Sequence, residues 1–167
     1  LSTERRRRVV ELAREHGVPV LEDDPYGLVR YEGEPPPSLH ELEGGDLVTY
    51  ASSFSKTVAP GYRIGWVVAG RHLSRILDAK AAFTLCGSVL PQAAFAEFLA
   101  SGGYDSHLRR IRRVFAHNIE RMTRAIERSF PSATRVSRPA GGFVLWLELP
   151  AQVKTRTVFQ RALEEGI

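Results

Sequence analysis

Lys56 lies in the stretch Ser52-Ser53-Phe54-Ser55-Lys56-Thr57, and Arg63 follows seven residues later behind the turn Pro60-Gly61. Those residue types have a chemistry in common. An amine held partly out of water near other cations loses proton affinity and becomes a nucleophile toward a carbonyl. Serine hydroxyls and the planar donor fork of an arginine suit a phosphate dianion. An aldehyde that carries a phosphate would satisfy both halves, its carbonyl at Lys56 and its phosphate among the hydroxyls and Arg63. Alone, an S-x-S-K segment is more often a polar surface loop. A second segment upstream changes that reading.

The second segment is Val20-Leu21-Glu22-Asp23-Asp24-Pro25-Tyr26. Val18 to Leu21 reads as a short buried strand after a helix, with Asp23 at its end. By themselves these residues fit an acidic turn before proline equally well. In order, the two segments resemble the fold type I pyridoxal-phosphate enzymes, the class I/II aminotransferase family. The matching motifs are D-x-x-Y at Asp23 and Tyr26, S-x-S-K at Ser53 to Lys56, and R-x-G at Arg63 to Gly65. A further match is P-x-G-G-[FM]-x-x-W at Pro139 to Trp146. Among the family's members the chain looks most similar to the aminotransferase-like domain of GntR/MocR-type transcription regulators, notably over Ser52 to Val68 and Ser101 to Arg110.

The resemblance implies pyridoxal 5'-phosphate as cofactor and Lys56 as the catalytic residue that forms the Schiff base. It implies Ser53 and Arg63 on the cofactor phosphate, with Ser55 assisting. Asp23 would pair with the protonated pyridine nitrogen and keep the ring an electron sink, and Tyr26 would bond the ring's phenolic oxygen. Asp24 is a rival to Asp23 by position, but the spacing of three to the tyrosine selects Asp23.

Positioning these groups requires an α/β fold. Leu47 to Ala51 and Ile64 to Ala69 are short, β-branched and aromatic, and read as two buried strands. The connection between them is too short for a crossover helix, so the two should run antiparallel. A helix precedes the Val18–Leu21 strand, as in a βαβ unit. The expected architecture is the fold type I transferase: a partial large domain with a mostly parallel sheet and one antiparallel strand, then the start of a small C-terminal α+β domain.

Along the rest of the chain, Ser2 or Thr3 should cap a first helix that stops at Gly17. Tyr31 to Glu43, with Pro35-Pro36-Pro37, reads as a stiff surface loop holding a turn of helix at Ser38 to Leu42. Leu73, Ile76, Leu77 and Lys80 share a helical face, and Leu90 to Leu99 make a further helix closed by Ser101-Gly102-Gly103. A long helix over Asp105 to Arg128 follows, rich in arginine on one face. A basic helix can bind nucleic acid, but interspersed acids favour a solvated face. Thr134 to Val136 and Gly142 to Leu149 read as strands, and Thr155 to Glu165 as a helix. The domain boundary is expected inside the long helix, with residues 1–112 the second half of the cofactor-binding large domain and 113–167 the beginning of the small one.

The chain has 167 residues, 43% hydrophobic, which is enough for a core and excludes disordered and fibrous classes. No apolar run approaches the roughly 18 residues of a membrane span and no signal-peptide pattern is present, so a membrane is not expected as a partner. A single cysteine, Cys86, excludes a disulfide framework within the chain and fits the cytoplasm. The five histidines show no metal-ligand spacing, so no metal is expected. A net charge of +4 mildly favours anionic partners such as phosphates.

Two functions of different classes remain open. One is the effector domain of a GntR/MocR-type regulator that senses an amine or the cofactor, with DNA bound only through a region outside this chain. The other is a free-standing amino acid aminotransferase acting on amino acids and 2-oxo acids. A lyase or decarboxylase of the same fold is a third, weaker reading. The resemblance also implies a homodimer. The family's N-P-T-G motif, upstream phosphate loop, ring-stacking aromatic and downstream carboxylate-binding arginine have no counterpart in these residues, so the chain is expected to be an internal piece of a longer protein.

Overall fold

Ser2 begins the first helix because its hydroxyl accepts the backbone N–H of Arg5 at 3.4 Å, and Gly17, in the left-handed conformation, ends it. The computed structural model describes residues 1–167. The first helix is α1 (Thr3–His16), and β1 (Val20–Asp23) follows directly. A single helical turn at Gly27–Val29 and the proline-rich loop lead to α2 (Leu39–Glu43), where Ser38 and Glu41 form a capping box. Then come β2 (Val48–Ser53) and β3 (Gly65–Val68).

The three strands form one sheet in the order β1-β2-β3. The β1–β2 pair is parallel, with Asp23 opposite Ala51, and the β2–β3 pair is antiparallel, with Ser53 opposite Gly65. The short connection forces the second arrangement, as expected. One face of the sheet is covered: Val10 of α1, Leu39 of α2 and Val48 of β2 make the core cluster, with Val9, Val20 and Leu42 packed around it. The expectation that both strands flanking Lys56 are buried is corrected for the second. Val67 and Val68 are 47% and 44% exposed, on a strand at the edge of the three-stranded sheet.

The second half is helical. α3 (Leu73–Thr84) and α4 (Val89–Ala100) precede α5 (Gly103–Ser129), a single continuous helix of 27 residues. β4 (Arg135–Val136) pairs antiparallel with β5 (Leu147–Glu148), and α6 (Thr155–Glu164) ends the described structure. The strand expected over Gly142 to Leu149 is thus confined to its last residues. Gly142 has φ +77°, which breaks the extended run, and Gly141 instead bridges to Arg30. A side chain at Gly141 would meet the Arg30 Cα at 2.8 Å, so only glycine permits this approach.

Glu43 closes α2 onto β2. Its carboxylate, buried, accepts the backbone N–H groups of Asp46 at 2.8 Å, Leu47 at 2.9 Å and Val48 at 3.2 Å. Burial pushes its pKa up, but those three donors and the Arg14 charge outweigh it and hold the carboxyl below its ordinary value. A carboxyl depressed in the folded state adds stability above its unfolded pKa, and that contribution is lost as pH falls through the folded one. In the protein that carries this chain, Glu43→Ala should therefore cost about 2–3 kcal/mol at neutral pH, because it leaves buried N–H groups unpaired. Glu43→Gln should cost less, and its deficit against the wild type should shrink as pH drops below about 4.5. Urea unfolding at neutral and acid pH checks both, and an Ala variant with an unchanged midpoint would contradict the role given to Glu43.

Candidate active site around Lys56

The carboxyl ends of β1 and β2 meet side by side, and the residues after them form the site. In open α/β sheets this edge is where ligands bind. Backbone joins the two ends: Asp24 N–H donates to the Ala51 carbonyl at 2.8 Å, and the Ser52 hydroxyl donates to the Asp24 carbonyl at 2.7 Å. Beyond β2 the chain makes a loop closed at its base by Phe54 N–H to the Ile64 carbonyl at 3.0 Å. Lys56 sits on that loop.

The Phe54 ring anchors the loop. It packs against Trp66 of β3 at 4.7 Å between ring centroids, Phe95 of α4 at 4.5 Å and Tyr104 of α5 at 5.6 Å. A second tie comes from α5. His107 Nε2–H donates to the Thr57 carbonyl at 2.9 Å, while Nδ1 accepts from Arg110 at 3.1 Å, and together these partners set the tautomer. Lys56 is thereby fixed from both sides in sequence.

The Lys56 amine lies 5.8 Å from the ring centroid of Tyr26 and 5.8 Å from that of Phe143, within reach of cation–π attraction to both. Tyr26 and Phe143 pack on each other at 5.6 Å, and Phe115 of α5 backs Phe143 at 5.0 Å. Phe143 was not singled out from the sequence as a site residue. The available signal was the Gly141-Gly142 pair before it, whose backbone docks on the turn after Tyr26 through Gly142 N–H to the Val29 carbonyl at 2.9 Å.

On the other side of the loop, Arg63 Nη1 donates to the Ser55 hydroxyl at 3.4 Å, and the Ser55 N–H reaches the Ser53 hydroxyl oxygen at 3.4 Å. Arg63 holds φ +53°, uncommon for a residue with a side chain, and such a conformation costs of order 1 kcal/mol. Gly65 follows for a steric reason: a Cβ there would lie 2.7 Å from the Ser52 carbonyl oxygen. Strand alternation separates the serines, sending Ser52 into the sheet and leaving Ser53 on the loop's side. The amine with its two rings and the arginine with its two serines are not in direct contact with each other. They share the loop.

The two aspartates divide in the same way. Asp24 is fully used, its carboxylate accepting the Gly27 N–H at 2.8 Å and the Tyr50 hydroxyl at 3.1 Å. Burial, and then the Asp24 charge, push the Tyr50 phenol up to about 12, so it remains a donor through the physiological range. Asp23, at the end of β1, is exposed and its carboxylate has no partner in the chain. A cleft of about 1010 Å³ opens beside Tyr26, bordered also by Asp24, His40 and Tyr50, and Lys56 is not in its wall. An amine flanked by aromatic rings, an unpaired carboxylate, a phenol and a guanidinium with hydroxyls suit a carbonyl compound that also bears a basic ring nitrogen and a phosphate.

The family model for aminotransferase class I and II matches residues 1–167. The HTH-type transcriptional regulator YjiR of Escherichia coli, itself uncharacterized, is 39% identical over 149 residues, 89% of this chain and 32% of its own. Aromatic-amino-acid aminotransferase 1 of Thermococcus litoralis is 32% identical over 168 aligned positions, which cover the whole of this chain and 40% of its own. The crystal structure of LysN, the alpha-aminoadipate aminotransferase of Thermus thermophilus, holds N-(5'-phosphopyridoxyl)-L-leucine. It superposes with a TM-score of 0.88 at 36% identity, over 96% of this chain and 42% of that one. The chain thus spans well under half the length of these relatives. On the matched residues and the shared fold together, the chain belongs to the class I and II aminotransferase family of fold type I.

Proposed function

We propose that this chain is the part of a pyridoxal-phosphate-binding domain that carries the Schiff-base lysine, Lys56, and that the whole protein is a GntR/MocR-type transcription regulator. The observation that carries the cofactor reading is the gathering of Lys56, Tyr26 and an unpaired Asp23 at the carboxyl ends of β1 and β2, with Arg63 on Ser55. When bound, pyridoxal phosphate supplies an electron sink for breaking bonds at an amino acid's Cα.

The chain's own groups have these parts. Lys56 Nζ would hold the cofactor through its carbonyl carbon, and as a free amine it would take the proton from the amino acid's Cα. The Tyr26 and Phe143 rings keep water from two sides of that nitrogen. Asp23 holds the pyridine nitrogen in its protonated form, and the Tyr26 hydroxyl donates to the ring oxygen. Arg63, Ser53 and Ser55 hold the phosphate, the Ser53 hydroxyl hydrogen being free because its oxygen accepts the Ser55 N–H. Residues 1–112 are assigned to the large domain and 113–167 to the start of the small one. The cytoplasm and a homodimer fit the same reading.

Lys56 is tested by trapping. Borohydride treatment of the complete protein loaded with pyridoxal phosphate should leave the cofactor covalently on Lys56, and Lys56→Ala should abolish the labelled peptide. Label on Lys80 or Lys154 would refute the assignment.

Phosphate anchoring and ring chemistry should separate by mutation. Arg63→Ala removes a charge-assisted contact worth about 1.5–3 kcal/mol, so cofactor affinity should fall tenfold or more. Asp23→Asn should keep more of the affinity but slow exchange of the Cα hydrogen of a bound amino acid for deuterium, followed by NMR. Normal cofactor affinity in Arg63→Ala would remove it from the phosphate site.

The regulator is favoured by the high identity to YjiR and by the phrase Gly102-Gly103-Tyr104-Asp105 with its surroundings. The 32% identity to a Thermococcus aminotransferase, over 40% of that protein's length, supports the second reading, a free-standing amino acid aminotransferase. A regulator requires a DNA-reading module outside this chain, of roughly 70 residues with a basic recognition helix. Expression of the complete reading frame, with promoter binding and turnover measured side by side, decides the matter. Specific DNA binding that shifts with amine or cofactor supports the regulator, and fast turnover without DNA binding supports the enzyme.

A further inference from the structure

Four arginines, Arg30, Arg109, Arg112 and Arg113, line a cleft of about 720 Å³ between the turn at residues 30–33 and the first half of α5. None of them forms an ion pair within the chain, where the arginines paired with carboxylates are Arg6, Arg8, Arg71, Arg124 and Arg135. Neutral acceptors hold three of the four. Arg30 Nε donates to the Gly33 carbonyl at 3.2 Å, Arg112 Nε to the Leu28 carbonyl at 2.9 Å, and Arg109 Nη2 to the Ser106 hydroxyl at 3.0 Å. Arg113 is exposed and takes no part in these bonds.

Arg30 and Arg112 are half-buried. Each is gripped through Nε, which fixes the plane of the guanidinium and leaves its terminal nitrogens available. A charge withdrawn from water without a counter-charge carries a desolvation penalty that an anion in the cleft would offset. Tyr31, also in the wall, adds no negative charge. Burial, and then Glu32 beside it, push its phenol up, and its hydroxyl donates to the Pro139 carbonyl at 3.0 Å.

We propose that this cleft binds a diphosphate group. Four guanidinium forks offer more donors than one phosphate can accept, and two joined phosphates match them better. Farther along α5 Arg124 is tied to Glu120 but Arg121 and Arg128 form no ion pair, so what favours a compact anion over a duplex backbone is the gathering of the four arginines in one cleft. Arg30 and Arg112 also border the larger cleft that reaches Tyr26, so an anion here fixes part of that wall. None of the four arginines has a part in the cofactor site proposed above, so either reading can fail without the other.

Calorimetric titration of the complete protein with inorganic pyrophosphate and with ADP, at low and physiological salt, tests the site. Pyrophosphate should bind, and Arg109→Gln combined with Arg113→Gln should weaken it about tenfold or more while borohydride labelling of Lys56 is unchanged. Arg113→Gln alone, at an exposed side chain with no bond to break, should weaken it measurably without affecting folding. Tighter binding of ADP would identify a nucleotide as the source of the diphosphate, and equal binding the free anion. No binding of pyrophosphate at low salt, or binding that both variants leave unchanged, overturns the proposal. So does duplex DNA binding that the variants abolish and pyrophosphate does not compete for.

Discussion

The Phe54 ring is the contact on which the site depends. It is the one side chain of the Lys56 loop that reaches β3, α4 and α5 at once, through Trp66, Phe95 and Tyr104. Aromatic pairs of this kind contribute about 0.5–1.5 kcal/mol each beyond the area they bury. Remove the ring, and the loop keeps its backbone closure to Ile64 but loses its registration against the helices. Position matters more here than stability, because an amine displaced by about 1 Å is a far poorer reagent. Phe95 in turn meets Tyr62, next to Arg63, edge to face, so the same cluster steadies both ends of the loop.

Around that anchor, neighbouring residues of one type are split between structure and chemistry. Ser52 is buried and spent on the Asp24 carbonyl, which leaves Ser53 for the loop. Asp24 is spent on Gly27 and Tyr50, which leaves Asp23 without a partner. In each case one residue satisfies buried polar groups that would otherwise be costly, and its neighbour is held in place without being consumed. Pre-organisation of this sort comes from the spent residue of each pair, not from its free neighbour.

Much of this was legible in the sequence because it is local. The Ser2 cap, the Gly17 stop, the helical turn that begins at Ser38, and the antiparallel return to β3 each depend on residues a few positions apart. The spacing to Tyr26 that the resemblance requires favours Asp23 over Asp24, and in the structure the Asp24 carboxylate is occupied by Gly27 and Tyr50. What was not legible is long-range. Nothing in the alternation of Phe143, Leu145, Leu147 and Leu149 says that Phe143 leaves the strand to meet Lys56. That follows from Gly141 and Gly142 docking on Val29 and Arg30. Nor can the hydropathy of Val67 and Val68 reveal that their strand is an edge.

The docking of Tyr31 onto Pro139 joins residues 108 positions apart, and the order in which a chain is made gives that separation a duration. At the usual 5–20 residues per second, roughly 5–20 s pass between the emergence of the two partners from a ribosome. Helix α1 and β1 are already made when that interval begins, and β2, β3 and the Lys56 loop are synthesised within its first part. For those seconds the lysine stands without the Phe143 side of its enclosure, open to solution from the direction the finished protein covers. The nascent chain therefore presents a wider doorway to small carbonyl compounds than the completed fold does.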